Sequence, residues 1–237
     1  MRSETLKYSS DGLTMSSELF YEPGAGRKPG VLVFPEVFGL GEHALSRARR
    51  LAELGYVALA CDLHGDRKML GGMEQAMAFV GAMREDLPRL RKRAQEALAA
   101  LTARAEVDSG RLAAIGYCFG GTMALELARS GAPLAATVGF HSGLATKAPQ
   151  DARNIKGKVL VCIGADDPGV PAEQRSAFEQ EMRAAKVNWQ LTVFGGVVHS
   201  FTNPGADKLG RPEFARYDAQ ADQRSWQQMC ELFTEVF

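Results

Sequence analysis

The stretch Gly116-Tyr117-Cys118-Phe119-Gly120-Gly121 constrains this chain most, because it centres a cysteine in a turn with glycine two positions to either side. Arg111–Ile115 ahead of it reads as a short buried strand, and Thr122–Arg129 behind it reads as a helix. A strand that turns straight into a helix forces its central residue into a strained backbone conformation. Only small residues at the two flanking positions let strand and helix pass so closely. The thiol then stands at the helix N-terminus, where the dipole and the free N–H groups favour a thiolate. The plainer alternative is a cysteine buried in a glycine-rich turn as a small hydrophobe.

Around this turn, apolar runs of strand length alternate with helical stretches. Gly30–Pro35, Tyr56–Cys61, Ala135–Phe140, Lys158–Ile163 and Asn188–Phe194 read as strands. Helices are expected near His43–Glu53, from about Met73 to Arg104, over Pro171–Ala185 and from about Glu213 to Phe237. Such alternation implies parallel strands joined by crossover helices, hence a central sheet covered on both faces. Leu6–Tyr21 alternates around Gly12 as a hairpin at a sheet edge, followed by the Pro23–Gly26 turn. Pro88 falls inside the long helical stretch and should break or kink it. No repeat, low-complexity tract or composition shift divides the chain, so residues 1–237 are expected to form one domain.

Charge narrows the function classes. Lys plus Arg and Asp plus Glu number 28 each, so nothing draws the chain toward nucleic acid or an anionic membrane. The apolar runs are too short to span a bilayer, and Met1–Lys7 lacks a signal core. A soluble cytoplasmic protein is expected, either a monomer or a small homo-oligomer. The cysteines Cys61, Cys118, Cys162 and Cys230 show no metal-ligand spacing, and no metal or cofactor is called for.

In an open parallel sheet, functional groups gather at the carboxyl ends of the strands. Four such ends carry chemistry: Glu36 in Phe34–Gly39, Cys118 in the turn, Asp166 and Asp167 in Gly164–Pro171, and His199 in Phe194–Phe201. A thiol near its free pKa needs a neighbouring imidazole to take its proton and later return it to a leaving group. That imidazole needs a carboxylate on its other nitrogen to fix tautomer and orientation. His199 suits the first role and Asp167 the second, with Asp166 an alternative that spacing does not exclude. Nucleophile, acid, histidine is the chain order of the α/β-hydrolase fold. That fold supplies two oxyanion donors from the backbone, which fall on Phe119 and Val37. Glu36 is harder to read, since a carboxylate beside a thiolate repels it and calls for a positive partner.

Together, P-E-V-F-G at 35–39, G-Y-C-F-G-G at 116–121, D-P-G-V-P at 167–171 and H-S-F at 199–201 resemble the dienelactone hydrolase family, the cysteine branch of the α/β-hydrolases. The likeness runs from about residue 30 to the closing helix. It implies an α/β-hydrolase fold without a large cap domain and hydrolysis of a small ester or lactone through a thioester. It implies a triad of Cys118, Asp167 and His199, which selects Asp167 over Asp166, and it puts Glu36 beside the thiol or an arginine. One departure stands out. Members acting on dienelactone hold the substrate carboxylate with arginines, one shortly after the histidine, whereas here that segment carries Asn203 and no arginine before Arg211. A neutral amide cannot replace a bidentate cation. A carboxylesterase or thioesterase for uncharged substrates is therefore a second expectation, with Arg84, Arg211 or Arg216 as alternative cations. A ligand receptor on the same fold and a redox-sensing thiol are weaker alternatives.

The remaining features read as structural. Met69, Met73, Met77 and Met83 with Phe79 suggest core packing, or alternatively an apolar pocket wall. Arg89, Arg91, Lys92 and Arg93 suggest a solvated helix face, His43 an exposed residue at a helix start, His64 a pocket wall, and His141 a structural histidine after a strand.

Overall fold

The computed structural model describes residues 1–237. Its core is one eight-stranded sheet in the order β1-β2-β4-β3-β5-β6-β7-β8. The hairpin β1 (Arg2–Ser10) and β2 (Leu13–Tyr21) forms one edge, with β1 paired to β2 and β2 to β4 antiparallel. The other strands run parallel: β3 (Lys28–Phe34), β4 (Val57–Ala60), β5 (Val107–Tyr117), β6 (Ala136–Phe140), β7 (Lys158–Gly164) and β8 (Trp189–Phe194).

Successive residues of the central strands point to opposite faces, so each strand feeds two cores. Val31 and Val33 of β3, Ala58 and Ala60 of β4, and Ala113 and Ile115 of β5 pack beneath α1 (Glu42–Glu53) and α6 (Ala219–Val236). Leu32, Phe34, Leu59, Leu112 and Ala114 face the opposite layer of α2 (Met73–Glu85), α3 (Leu87–Thr102) and α4 (Phe119–Arg129). Helix α5 (Ala172–Ala184) joins that layer through Phe178 and Met182. Side chains of this size contribute roughly 1.5–3 kcal/mol each when fully buried. Helices therefore cover both faces, as in an α/β-hydrolase without a large cap domain.

The long helical stretch is two helices. It breaks at Asp86, whose side chain caps α3 by accepting from Arg89 N–H, with Pro88 seated in the first turn where its missing donor is harmless. The closing helix starts at Ala219, not near Glu213. Residues 211–216 instead serve the histidine loop: Phe214 O accepts from His199 N–H and Arg216 N–H donates to His199 O. The basic run is only partly solvated. Arg93 is buried and pairs with Asp11, while Arg91 pairs with Glu126 and Asp151. Glu126 and Glu181 also hold the fully buried Arg129, tying α4 to α5.

After β3 the chain crosses to β4 on one side, and after α3 it returns to β5 on the other. The loops following β3 and β5 therefore diverge and open a crevice at the carboxyl ends, where ligands of open α/β sheets bind.

Candidate active site

Cys118 sits in that crevice with φ +55° and ψ −121°, the N-cap of α4. Sterics explain its flanking glycines. A Cβ on Gly116 would lie 2.1 Å from Gly120 O, and one on Gly120 would lie 2.3 Å from both Phe34 O and Pro35 O. Glycine at both positions lets α4 start against the end of β5 while its first turn touches the end of β3.

Asp167 is buried and Asp166 exposed. Asp167 follows β7 in a tight turn, and its Oδ1 accepts the Gly169 N–H at 2.8 Å. His199 arrives from the loop after β8, which crosses so close to the end of β7 that a Cβ on Gly164 would meet Val197 O at 2.2 Å. The His199 Nδ1 lies 2.7 Å from Asp167 Oδ2, and its ring stacks on Phe214 with centroids 5.4 Å apart. Burial disfavours the imidazolium, but it is outweighed by the neighbouring Cys118 sulfur and by the hydrogen-bonded Asp167 carboxylate. The His199 pKa accordingly stands well above its ordinary value. Burial raises the pKa of the Cys61 and Cys162 thiols.

Glu36 lies in the loop after β3. Its carboxylate has no cationic partner and instead accepts from Ser200 Oγ at 2.6 Å and from Asn203 Nδ2. The positive partner expected for Glu36 is thus replaced by two neutral donors from the histidine loop. Val37 N–H has no acceptor within the loop, and Phe119 is the first residue of α4, whose N–H lacks an intrahelical partner. The carbonyl of Val37 accepts from His64 Nε2 at 2.7 Å, and burial lowers the His64 pKa, consistent with a neutral ring donating that proton.

Glu36, Val37, Cys118, Phe119 and His199 border one cavity of about 330 Å³. Phe38, Met73, Met77, Val80, Leu209 and Phe214 make its apolar wall, with Cys118, His199 and Glu36 on the polar side. The methionines therefore divide: Met83 is core, Met73 and Met77 line the cavity, and Met69 is exposed. Among the cavity residues Arg84 is the one cation, and its guanidinium lies over Gly143 without a carboxylate partner. Arg211 pairs with Glu213 and Arg216 reaches Gly196 O, so neither lines the cavity.

One histidine differs from the sequence reading, and another takes the structural place expected of it. His43 is not an exposed helix-start residue. It is partly buried edge-on to Tyr117, and burial followed by the Arg47 charge lowers its pKa to about 3. His141 is fully buried directly behind the nucleophile turn, where its Nδ1 accepts the Cys118 N–H at 3.1 Å. Its place after a strand in Gly139–Gly143 was the one signal available for it.

The family model for the dienelactone hydrolase family matches residues 17–237. The chain belongs to that family. Among relatives, a Yersinia pestis protein named "putative carboxymethylenebutenolidase" is 31% identical over 222 residues, which cover 89% of this chain and 79% of that protein. Two solved structures are closer in sequence. A protein called m3DLH is 48% identical with a TM-score of 0.95, covering 100% of this chain and 98% of its own. A dienelactone hydrolase-like promiscuous phosphotriesterase from metagenomic libraries is 47% identical, with the same TM-score of 0.95 and the same coverage of 100% and 98%. With these relatives, the chain is a hydrolase of the dienelactone hydrolase type.

Proposed function

We propose that this family member hydrolyses an ester or lactone of a small carboxylic acid through a thioester on Cys118. The observation that carries the reading is His199, hydrogen-bonded through Nδ1 to Asp167 Oδ2 at 2.7 Å and bordering the same cavity as Cys118. His199 takes the thiol proton while Sγ attacks the carbonyl carbon. The carbonyl oxygen becomes an oxyanion held by the N–H groups of Phe119 and Val37. Collapse of the tetrahedral species breaks the ester C–O bond, and the leaving alkoxide takes the proton from His199. Water then gives a proton to His199 and attacks the thioester; the acid departs and the sulfur recovers that proton. No cofactor or metal enters these steps. A free thiol nucleophile suits a reducing compartment, so we place the enzyme in the cytoplasm, and no helix is long and apolar enough to cross a membrane.

The unpaired Arg84 guanidinium on an otherwise apolar wall supports a substrate that carries a carboxylate away from its scissile bond. The neutral Asn203 on Glu36 favours a second reading, uncharged esters, among which a phosphotriester would suit the structural relative named for that activity. The test is a panel of a carboxylate-bearing lactone, its methyl ester, p-nitrophenyl esters and a neutral phosphotriester, with mass detection of the group left on Cys118. An acyl adduct on Cys118 and loss of turnover in Cys118→Ala support the mechanism; unchanged turnover in that variant refutes it. Preference for the acid that disappears in Arg84→Gln supports the first substrate class, and indifference to charge supports the second.

A further inference from the structure

Three non-glycine residues around the site hold positive φ: Cys118 at +55°, His141 at +40° and Ser200 at +53°. They come from three segments, the turns after β5 and β6 and the loop after β8, and one line of hydrogen bonds crosses all three. Donor accounting fixes its direction. The backbone N–H of Cys118 can only donate; it is shared between Phe140 O at 3.0 Å and His141 Nδ1 at 3.1 Å, and the second contact calls for an Nδ1 that carries no proton. The neutral ring then has its hydrogen on Nε2, which faces Thr202 Oγ1 at 2.8 Å. Thr202 in turn has one hydroxyl proton left for His43 Nε2 at 3.2 Å. Thr202 is pinned again through its backbone, because Arg47 donates to Thr202 O at 2.6 Å while also pairing with Asp222 of α6 at 2.8 Å.

We infer that His141 is a positioning residue for the thiol–imidazole pair, holding the nucleophile turn and the loop that carries His199 in fixed register. Cys118 and His199 sit on different loops whose strands, β5 and β8, are separated by β6 and β7. His141, at the end of β6, bridges part of that gap: it binds the backbone of the first loop, and through Thr202, three residues past His199, the second. Its ring also packs edge-on against the His199 ring at 5.2 Å. A second cation there would repel the imidazolium of the reaction. Burial first, then the charges of His199, His43 and Arg47, keep His141 neutral.

The inference rests on the proposed Cys118 chemistry, so its test separates the two. Kinetics of a p-nitrophenyl ester and the iodoacetamide labelling rate of Cys118 at neutral pH are measured for wild type, His141→Phe, His141→Asn and Thr202→Val. The phenylalanine keeps the ring shape without hydrogen bonds. Asparagine tolerates positive φ and offers an oxygen near the place of Nδ1. His141→Phe should lower kcat on the order of 100-fold with little change in KM, the scale expected when reacting groups are misplaced by about an ångström. Its labelling rate should fall in parallel, His141→Asn should recover a large part of both, and Thr202→Val should show a smaller loss of the same kind. Thr202→Val decides if the phenylalanine variant does not fold. Wild-type kcat and labelling in Thr202→Val, or lowered melting temperature with unchanged kcat and labelling in His141→Phe, overturns the inference. If Cys118→Ala retains turnover, the proposed function falls, while the labelling comparison still reads the effect of His141 on the thiol.

Discussion

Asparagine at position 167 tests the proposed acid–histidine couple through a forced choice. Asp167 Oδ1 already accepts the Gly169 N–H at 2.8 Å, and Oδ2 faces His199 Nδ1 at 2.7 Å. In Asp167→Asn the amide oxygen is claimed by the Gly169 N–H, so the NH2 group turns to His199. Nδ1 must then accept, which leaves the imidazole hydrogen on Nε2, facing Cys118. The base now presents a proton where it needs a lone pair. Wrong-tautomer histidines in serine hydrolases lose about 10⁴-fold, near 5.5 kcal/mol of barrier. A thiol ionises more readily than a hydroxyl, so on the order of 10³-fold is the expected lower bound here. Stopped-flow acylation by p-nitrophenyl acetate is the assay, with Asp167→Ala as the control that leaves either tautomer open and should lose less. An acylation rate in Asp167→Asn within about tenfold of wild type would refute the tautomer argument, as would an alanine variant worse than asparagine.

Other expectations follow from burial. Gly116→Ala sets a Cβ 2.1 Å from backbone that cannot step aside, so urea denaturation should show a loss of at least about 1–3 kcal/mol, a cost typical of overpacking. Arg129→Ala leaves Glu126 and Glu181 buried without their cation and should cost about 3–5 kcal/mol; adding Glu126→Gln and Glu181→Gln should recover part of it. Acid should destabilise the fold. His141 and His43 stay neutral in the folded state, whereas the unfolded chain takes up their protons below pH 6.5, so each withheld proton costs up to about 1.4 kcal/mol per pH unit. His199 has the opposite sign: its raised pKa stabilises fully below pH 6.5, and the contribution is lost as pH rises through its folded value. The melting temperature should therefore fall between pH 6.5 and 4.5, and His43→Gln should flatten that slope.

The strands were legible because each core strand is a short apolar run bounded by turn residues, and the nucleophile turn because only glycine fits two of its positions. The strand-end residues Glu36, Cys118 and His199 could be gathered from the parallel topology, whereas Asp167 was separated from Asp166 only by the family resemblance; the structure brings Glu36, Cys118 and His199 to one cavity, with Asp167 on His199 Nδ1. What escaped depends on distant partners. Residues 213–218 read as helix by local preference, yet tertiary pairing with His199 holds them in turns and starts α6 at Ala219. The partners of Glu36 are two neutral side chains more than 160 positions away in the chain, a pairing no local pattern encodes. His43 looked exposed because its helix-start position says nothing of Thr202 and Tyr117 folding over it.

The cavity draws its reactive rim and its greasy side from separate stretches of polypeptide. Cys118, Asp167 and His199 are braced by the sheet, while Met73, Met77, Val80 and Arg84 belong to α2, a helix that sinks only Ala76, Val80 and Met83 into the interior. Exchanges along α2 can thus redraw which molecules are admitted without disturbing the machinery that cuts them, leaving natural selection two nearly independent dials on a single enzyme.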